Sequence, residues 1–357
     1  MLTRPPGGVP GPEPQDRWVS AHVFTGHPLD LVVSTLIPAA VAELRQRGLA
    51  DRFFFLRHWH GGPHLRLRVR LTAPAAGPAV RTVLNAHAIA LFRTLPPSQP
   101  MPAHQYRALA EQLAALEPDS EPGTLAPNDS LAFHPYRPEH GKYGHGAALR
   151  AAEDAFATCS ELAVAAVLAG WSPAQRTAHC FALLAGTLDA GAAPGQPVPE
   201  VLAQYRNGRA ALLTVARAAR AARAAPLAEA AHPARAAAQS AVADPARTAP
   251  LAEVADPAGA DPVSRWLATC RSAQRQAAAP ALLAGHLTHL ACNRLDVRIG
   301  QEATLRALAL LAVAELTDAE LTDTDRPRPE SDQPCRHTSR RHRGSQDDAP
   351  HDGAGPP

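Results

Sequence analysis

Lysine is almost absent from this chain. Lys142 is the single lysine among 35 basic residues, so arginine supplies nearly all the positive charge. Acidic residues number 33 and the formal net charge is +2, so no global field argues for a nucleic-acid partner. Cysteine is scarce: Cys159, Cys180, Cys270, Cys292 and Cys335 are an odd number with no Cys-x-x-Cys spacing. That pattern argues against a disulfide framework or a zinc knuckle and favours a reducing compartment. Apolar runs are short. The longest lie near residues 162–169 and 307–314, too short to span a bilayer. The opening Met-Leu-Thr-Arg-Pro-Pro-Gly-Gly lacks the apolar core of a signal peptide, so a cytoplasmic protein without membrane contact is expected. No glycine-rich phosphate loop is present, and no cofactor is expected.

Proline, by contrast, is abundant at 36 residues. It concentrates at the start, in an Ala/Arg/Pro-rich stretch at 217–262, and in the tail. These segments have little apolar bulk to offset the entropy of ordering. The expected organisation is a disordered leader at 1–16, one domain at 17–316 with 217–262 as a surface insertion, and a disordered tail at 317–357.

The opening third alternates between strand and helix patterns. Trp18–Thr25 reads as a strand and Leu29–Arg47 as a helix ending before Gly48. Phe53–Leu56 and His64–Leu71 read as strands flanking a Gly-Gly-Pro turn. Helices are expected at Ala79–Leu95 and Gln105–Leu116, extended structure at Leu131–Tyr143, and helices from Ala147 to Ala190, with Ser172 capping and Pro173 at a first helical position. Further helices are expected at Val263–Arg275, Pro280–Leu295 and Ile299–Leu316. The fold class is α+β: a strand–helix–strand–strand unit with a mixed or antiparallel sheet, then a mainly helical half.

The strand His64-Leu65-Arg66-Leu67-Arg68-Val69-Arg70-Leu71 alternates without a break. A period of two puts the aliphatic residues on a core and His64, Arg66, Arg68 and Arg70 on the opposite face. Three guanidiniums in a row suit anions. By composition alone such a face is a solvated one.

Three separated segments together resemble one family. They are Phe53-Phe54-Phe55-Leu56-Arg57 with the arginine strand; Tyr136-Arg137-Pro138-Glu139-His140-Gly141-Lys142-Tyr143-Gly144-His145, followed by Ala152-Glu153-Asp154-Ala155-Phe156 and Ser160; and His289-Leu290-Ala291-Cys292-Asn293-Arg294-Leu295. The chain is identified as a member of the lantibiotic dehydratase C-terminal family, in a form like the free-standing proteins of thiopeptide biosynthesis. The resemblance covers roughly residues 17–316.

The resemblance implies glutamate elimination. A Ser or Thr of a precursor peptide is first esterified by a separate tRNA-dependent glutamylating protein. This domain then removes the α-proton and expels glutamate, leaving a dehydroamino acid. The chemistry needs a base, stabilisation of an enolate-like intermediate and cations for a carboxylate. By resemblance, His289, Glu139 and Lys142 are catalytic. Arg66 and Arg68 hold the glutamyl group, and Arg57, Tyr143, His145 and Arg294 complete the substrate contacts. Two positions depart from the family: Lys142 stands for an arginine and His145 for the second glycine of a pair. Lysine keeps the charge and loses the planar fork. An alternative follows from relatives that join two dehydroalanines into a pyridine by aza-cycloaddition and expel the leader peptide. A third reading is a non-catalytic partner that binds leader peptide, with the strand near Trp18–Thr25 as an edge for β-augmentation.

Plainer readings stand beside these. Arg70 is expected to be solvated. Glu139 beside Lys142 also reads as an ordinary ion pair, and His289 on an apolar helix face is by default a satisfied core histidine, a reading the family block outweighs. His58 and His60 share a face but lack a third ligand, so no metal is expected. Cys292 reads as a small buried hydrophobe, and Ser160 as packing or substrate contact. Precursor peptide and glutamylating protein are the expected partners.

Overall fold

The computed structural model describes residues 17–114, 124–189, 196–224 and 261–324. The expected disordered leader, most of the insertion and most of the expected tail lie outside the described residues. Contacts group Met1–Asp318 as one unit and Ala319–Pro357 as another, the latter described only up to Thr324.

Four strands form one sheet: β1 (Trp18–Phe24), β2 (Ala50–His58), β3 (His64–Leu71) and β4 (Ser130–His134), in the order β2-β3-β1-β4. All neighbours are antiparallel. The β2–β3 turn is built on two glycines with positive φ, Gly61 at 82° and Gly62 at 106°, a region that costs a side chain its Cβ clearance. The Gly61 N–H donates to the Tyr106 hydroxyl at 2.9 Å.

The order corrects one expectation. β1 is a central strand, paired on both sides, and offers no edge for an added peptide strand. Its alternation does not reveal this, because pairing partners are set by the return of β4 from a hundred residues away. The edges are β2 and β4.

The edge of β2 is sealed by side chains. Phe55 N–H donates to Ser160 Oγ at 3.1 Å, and Phe55 O accepts from Arg294 Nε at 2.9 Å. Arg57 N–H donates to Asn293 Oδ1, and Asn293 Nδ2 returns a bond to Arg57 O, both at 2.9 Å. Backbone groups that a fifth strand would satisfy are thus satisfied by helical residues.

One face of the sheet carries Val19, Ala21, Val23, Leu65, Leu67 and Val69, all buried in the larger core. Helices α1 (Leu29–Gln46) and α2 (Gly77–Thr94) pack on this face. α1 stops where Gly48 takes φ +63° and donates to Arg45 O, as its sequence predicts. α3 (Ala103–Ala114) follows. A single turn of helix, α4 (His140–Tyr143), interrupts the extended structure expected there. Its Tyr143 N–H and Gly144 N–H close on Glu139 O and His140 O.

The second half is helical: α5 (Gly146–Leu168), α6 (Pro173–Thr187), α7 (Pro199–Ala224), α8 (Pro262–Gln274), α9 (Pro280–Arg294) and α10 (Ile299–Thr324). Ser172 and Gln175 form a reciprocal capping box at the start of α6. The first half of α7 escaped the sequence reading, and α10 continues past the expected end at Leu316. α5, α8 and α9 build a second core with Trp18, Phe54 and Tyr136 from the other side of the sheet.

Candidate functional site

Register puts the cationic strand at the centre of one face. Opposite Arg70, Arg68, Arg66 and His64 of β3 stand Trp18, Ser20, His22 and Phe24 of β1. On the other side stand Arg52, Phe54, Leu56 and His58 of β2. These residues share the face because directly paired side chains point the same way. The strand's identical-looking arginines have three different surroundings.

Arg70 is neutralised. It bonds Asp51 at 2.9 and 2.6 Å and reaches Asp154 at 3.3 Å, with Arg52 on the same Asp154 carboxylate. It has no charge to spare for substrate.

Arg68 is enclosed by rings. Its guanidinium carbon lies 5.3 Å from the Phe54 ring centre and 5.1 Å from that of Tyr136. Among the described residues no carboxylate lies within ion-pair distance, and its Nε is buried without a hydrogen-bond partner. Burial pulls its pKa below the ordinary arginine value, while Tyr136 and Glu139 oppose that shift. Tyr136 is held in place by Glu153, accepting from the Tyr136 hydroxyl at 2.9 Å. Glu153 is 5% exposed, and burial raises its own pKa. Arg68 is half-buried, and a buried donor without a partner carries a desolvation cost that a hydrogen-bond acceptor would offset.

Arg66 stands among imidazoles. Its Nε donates to His64 Nε2 at 3.2 Å, and His64 Nδ1 lies 2.8 Å from Gly62 O. Together these bonds set the His64 tautomer with its proton on Nδ1. The His22 ring is 5.0 Å from His64 and 4.2 Å from His134. Burial first, and the Arg66 charge next, hold His22 and His58 down to about 2. His64 falls to about 4, chiefly by burial, and His134 is lowered as well. All are therefore neutral near pH 7.

The other predicted residues fall into two groups. The Tyr136–His145 segment meets the strand face through Tyr136, and Tyr143 packs edge-on to Phe156 at 4.9 Å. Burial pushes the Tyr143 hydroxyl up to about 12. Glu139 and Lys142 are exposed and closed on each other as an ion pair. His145 stacks on His140 at 4.2 Å. Its φ of −126° needs no glycine, whereas Gly144 and Gly146 on either side take φ of 74° and 57°. That explains why a histidine is accommodated in place of a glycine.

Arg57 and Arg294 are engaged in holding the fold. Arg57 pairs with Asp30 at 2.5 Å and donates twice to Arg294 O at 3.2 Å. Arg294 is 1% exposed, seals the β2 edge, and donates to Ser160 Oγ at 2.9 Å. Its Nη2 has no partner among the described residues.

His289 is half-exposed on α9, with Nδ1 2.7 Å from Glu302 Oε2. His286 of α9 meets the Tyr136–His145 segment, 6.1 Å from the Tyr143 ring. Its pKa is lowered by burial and then by Lys142. Sequence reasoning missed His286, one turn before His289, and His22, which shares the two-residue phase of Trp18. Among the described residues no group of three or more His, Cys, Asp or Glu is arranged to hold a metal. His60 N–H donates to His58 Nδ1 at 3.1 Å. An apolar cavity of about 230 Å³ lies between α5, α6 and α8, lined by Leu162, Trp171, His179 and Trp266, and includes none of these residues. No described helix is long and apolar enough to cross a membrane.

The fold and the face together define a sheet-and-helix domain with a cationic strand turned towards a helical half. The chain belongs to the family described as "Lantibiotic biosynthesis dehydratase C-term", whose model matches residues 18–313. Solved structures are similar to the chain, and the first of the three that follow shares its fold. "Pyridine synthase, TbtD, from thiomuracin biosynthesis" is 23% identical with a TM-score of 0.55, over 85% of this chain and 99% of that one. The tRNA-dependent lantibiotic dehydratase MibB from Microbispora sp. 107891 is 22% identical with a TM-score of 0.46, over 89% of this chain and 29% of that one. TsrL is 20% identical with a TM-score of 0.45, over 87% and 99%. No curated protein sequence matches the chain.

Proposed function

We propose that this protein is a lyase of thiopeptide or lanthipeptide maturation, eliminating glutamate from glutamylated Ser or Thr of a precursor peptide. The observation that carries this reading is Arg68, a half-buried cation between Phe54 and Tyr136 whose buried Nε lacks a partner among the described residues. A glutamyl carboxylate supplies the missing anion, with Arg66 beside it on the same strand face. In the reaction the Cα–H bond breaks, its electron pair becomes the Cα=Cβ bond, and glutamate leaves with the Cβ–O pair. Arg68 and Arg66 grip the departing group in a site of low dielectric, where such contacts are stronger than in water. The peptide arrives from a separate tRNA-dependent glutamylating protein.

One observation favours a second reading, pyridine formation from two dehydroalanines. Lys142, which stands for the family's arginine, closes on Glu139 at the surface. That removes one cation from a carboxylate grip and leaves room for a neutral substrate.

Two peptides separate the readings. Elimination predicts that a glutamylated precursor loses glutamate and that a pre-dehydrated precursor is unchanged. Cycloaddition predicts the reverse, with water loss and leader release from the pre-dehydrated peptide, both visible by mass spectrometry.

A further inference from the structure

The elimination needs a base placed on the face that carries Arg66 and Arg68. Glu139 is closed on Lys142 at the surface, and His289, paired through Nδ1 with Glu302, stands on α9 and not on that face. The strand face itself holds an alternative. His22 lies directly across the β1–β3 ladder from Arg66, and its neighbour Ser20 lies across from Arg68. Side chains so paired are about 5 Å apart at Cβ, so His22 is a same-face neighbour of the two arginines.

We propose that His22 is the proton acceptor of this site, taking the substrate α-proton on a ring nitrogen while Arg66 and Arg68 hold the glutamyl carboxylate. This rests on the elimination reading. Availability distinguishes His22 from its neighbours. His64 has both nitrogens engaged, by Arg66 and Gly62 O, and His58 Nδ1 accepts from His60 N–H. No described residue hydrogen-bonds His22, and the side chain is half-buried, so a lone pair is open to a ligand. The exposed His134 ring, 4.2 Å away, gives the proton a route to water once the product has left.

The charges facing His22 explain why it acts when substrate is bound. Arg66 and Arg68 from β3 are the positive charges that face it and disfavour a further one, while His64 from β3, His134 from β4 and His58 from β2 surround it as neutral rings near pH 7. His22 is thus in its proton-free form before substrate binds. A carboxylate docked on Arg66 cancels part of that repulsion and raises the basicity of His22 at the moment a proton is offered. The balance is simple: the proton moves from Cα to His22, and the carbon's electron pair expels glutamate.

His22→Gln and His22→Asn test this on glutamylated precursor peptide, beside Arg68→Ala. Expected are a fall in kcat of about 100-fold or more, the scale of a lost general base, with KM, leader-peptide affinity by fluorescence polarisation and Tm near wild type. A peptide deuterated at Cα should show a primary isotope effect that grows in both variants. Activity within threefold of wild type in both His22 variants while Arg68→Ala is inactive overturns the assignment of His22 and leaves the site standing. If Arg68→Ala is also active, the elimination site falls and His22 with it. A kcat loss matched by equal losses of leader affinity and Tm makes His22 structural and overturns the proposal.

Discussion

At the scale of single residues, the cations of β3 show how environment separates chemically identical side chains. Arg70 has two aspartates, Arg66 has imidazoles, and Arg68 has aromatic rings and a buried donor without a partner. Alternation places them on one face; it cannot say which has a counter-ion, because Asp51 comes from a neighbouring strand and Asp154 from α5. Lys142 gives a prediction of its own. It is exposed and bound to Glu139, so Lys142→Arg should keep the exposed ion pair and leave glutamate elimination within about threefold of wild type, since such surface pairs contribute little. Steady-state kinetics on glutamylated peptide check this, and a loss of tenfold or more would mean that Lys142 does more than pair with Glu139.

At the scale of elements, the Asn293-Arg294 pair and Ser160 cap an edge strand. These residues were legible in the sequence as members of family blocks, but their work was not: the bonds span more than a hundred residues and end on backbone atoms of β2, which carry no sequence signal. Asn293→Ala leaves Arg57 N–H and C=O without their partner. It should destabilise the protein by about 1–3 kcal/mol, the cost of unsatisfied buried groups, read from urea unfolding at unchanged m-value. The strands and most helices, by contrast, could be read from period and caps. Ser172-Pro173 and Gly48 mark helix ends by local chemistry alone. The start of α7 was missed because its apolar positions are thinly spread among Ala, Arg and Gln. The central place of β1 was missed because sheet order is a long-range property.

At the scale of the whole molecule, the sheet has one aliphatic face and one face of buried or half-buried cations and neutral imidazoles. That arrangement sets a pH dependence. His22, His58 and His64 have folded values of about 2, 2 and 4 against an ordinary 6.5. Below pH 6.5 the unfolded chain takes up protons that the fold refuses, so stability is complete above that value and falls as pH drops towards 4. Tm measured from pH 7.5 to 4.5 should decline over this window, and His64→Gln should flatten part of the slope. A flat profile would mean that these rings are charged in the fold. The same polar face carries the central claim, that Arg68 is kept unpaired for a substrate anion. A buried donor without a partner weakens the fold, so Arg68→Met should have a Tm no lower than wild type yet leave glutamylated peptide accumulating, visible as the retained glutamyl mass. An Arg68→Met protein that melts well below wild type, or that clears the glutamylated peptide at the wild-type rate, would contradict it.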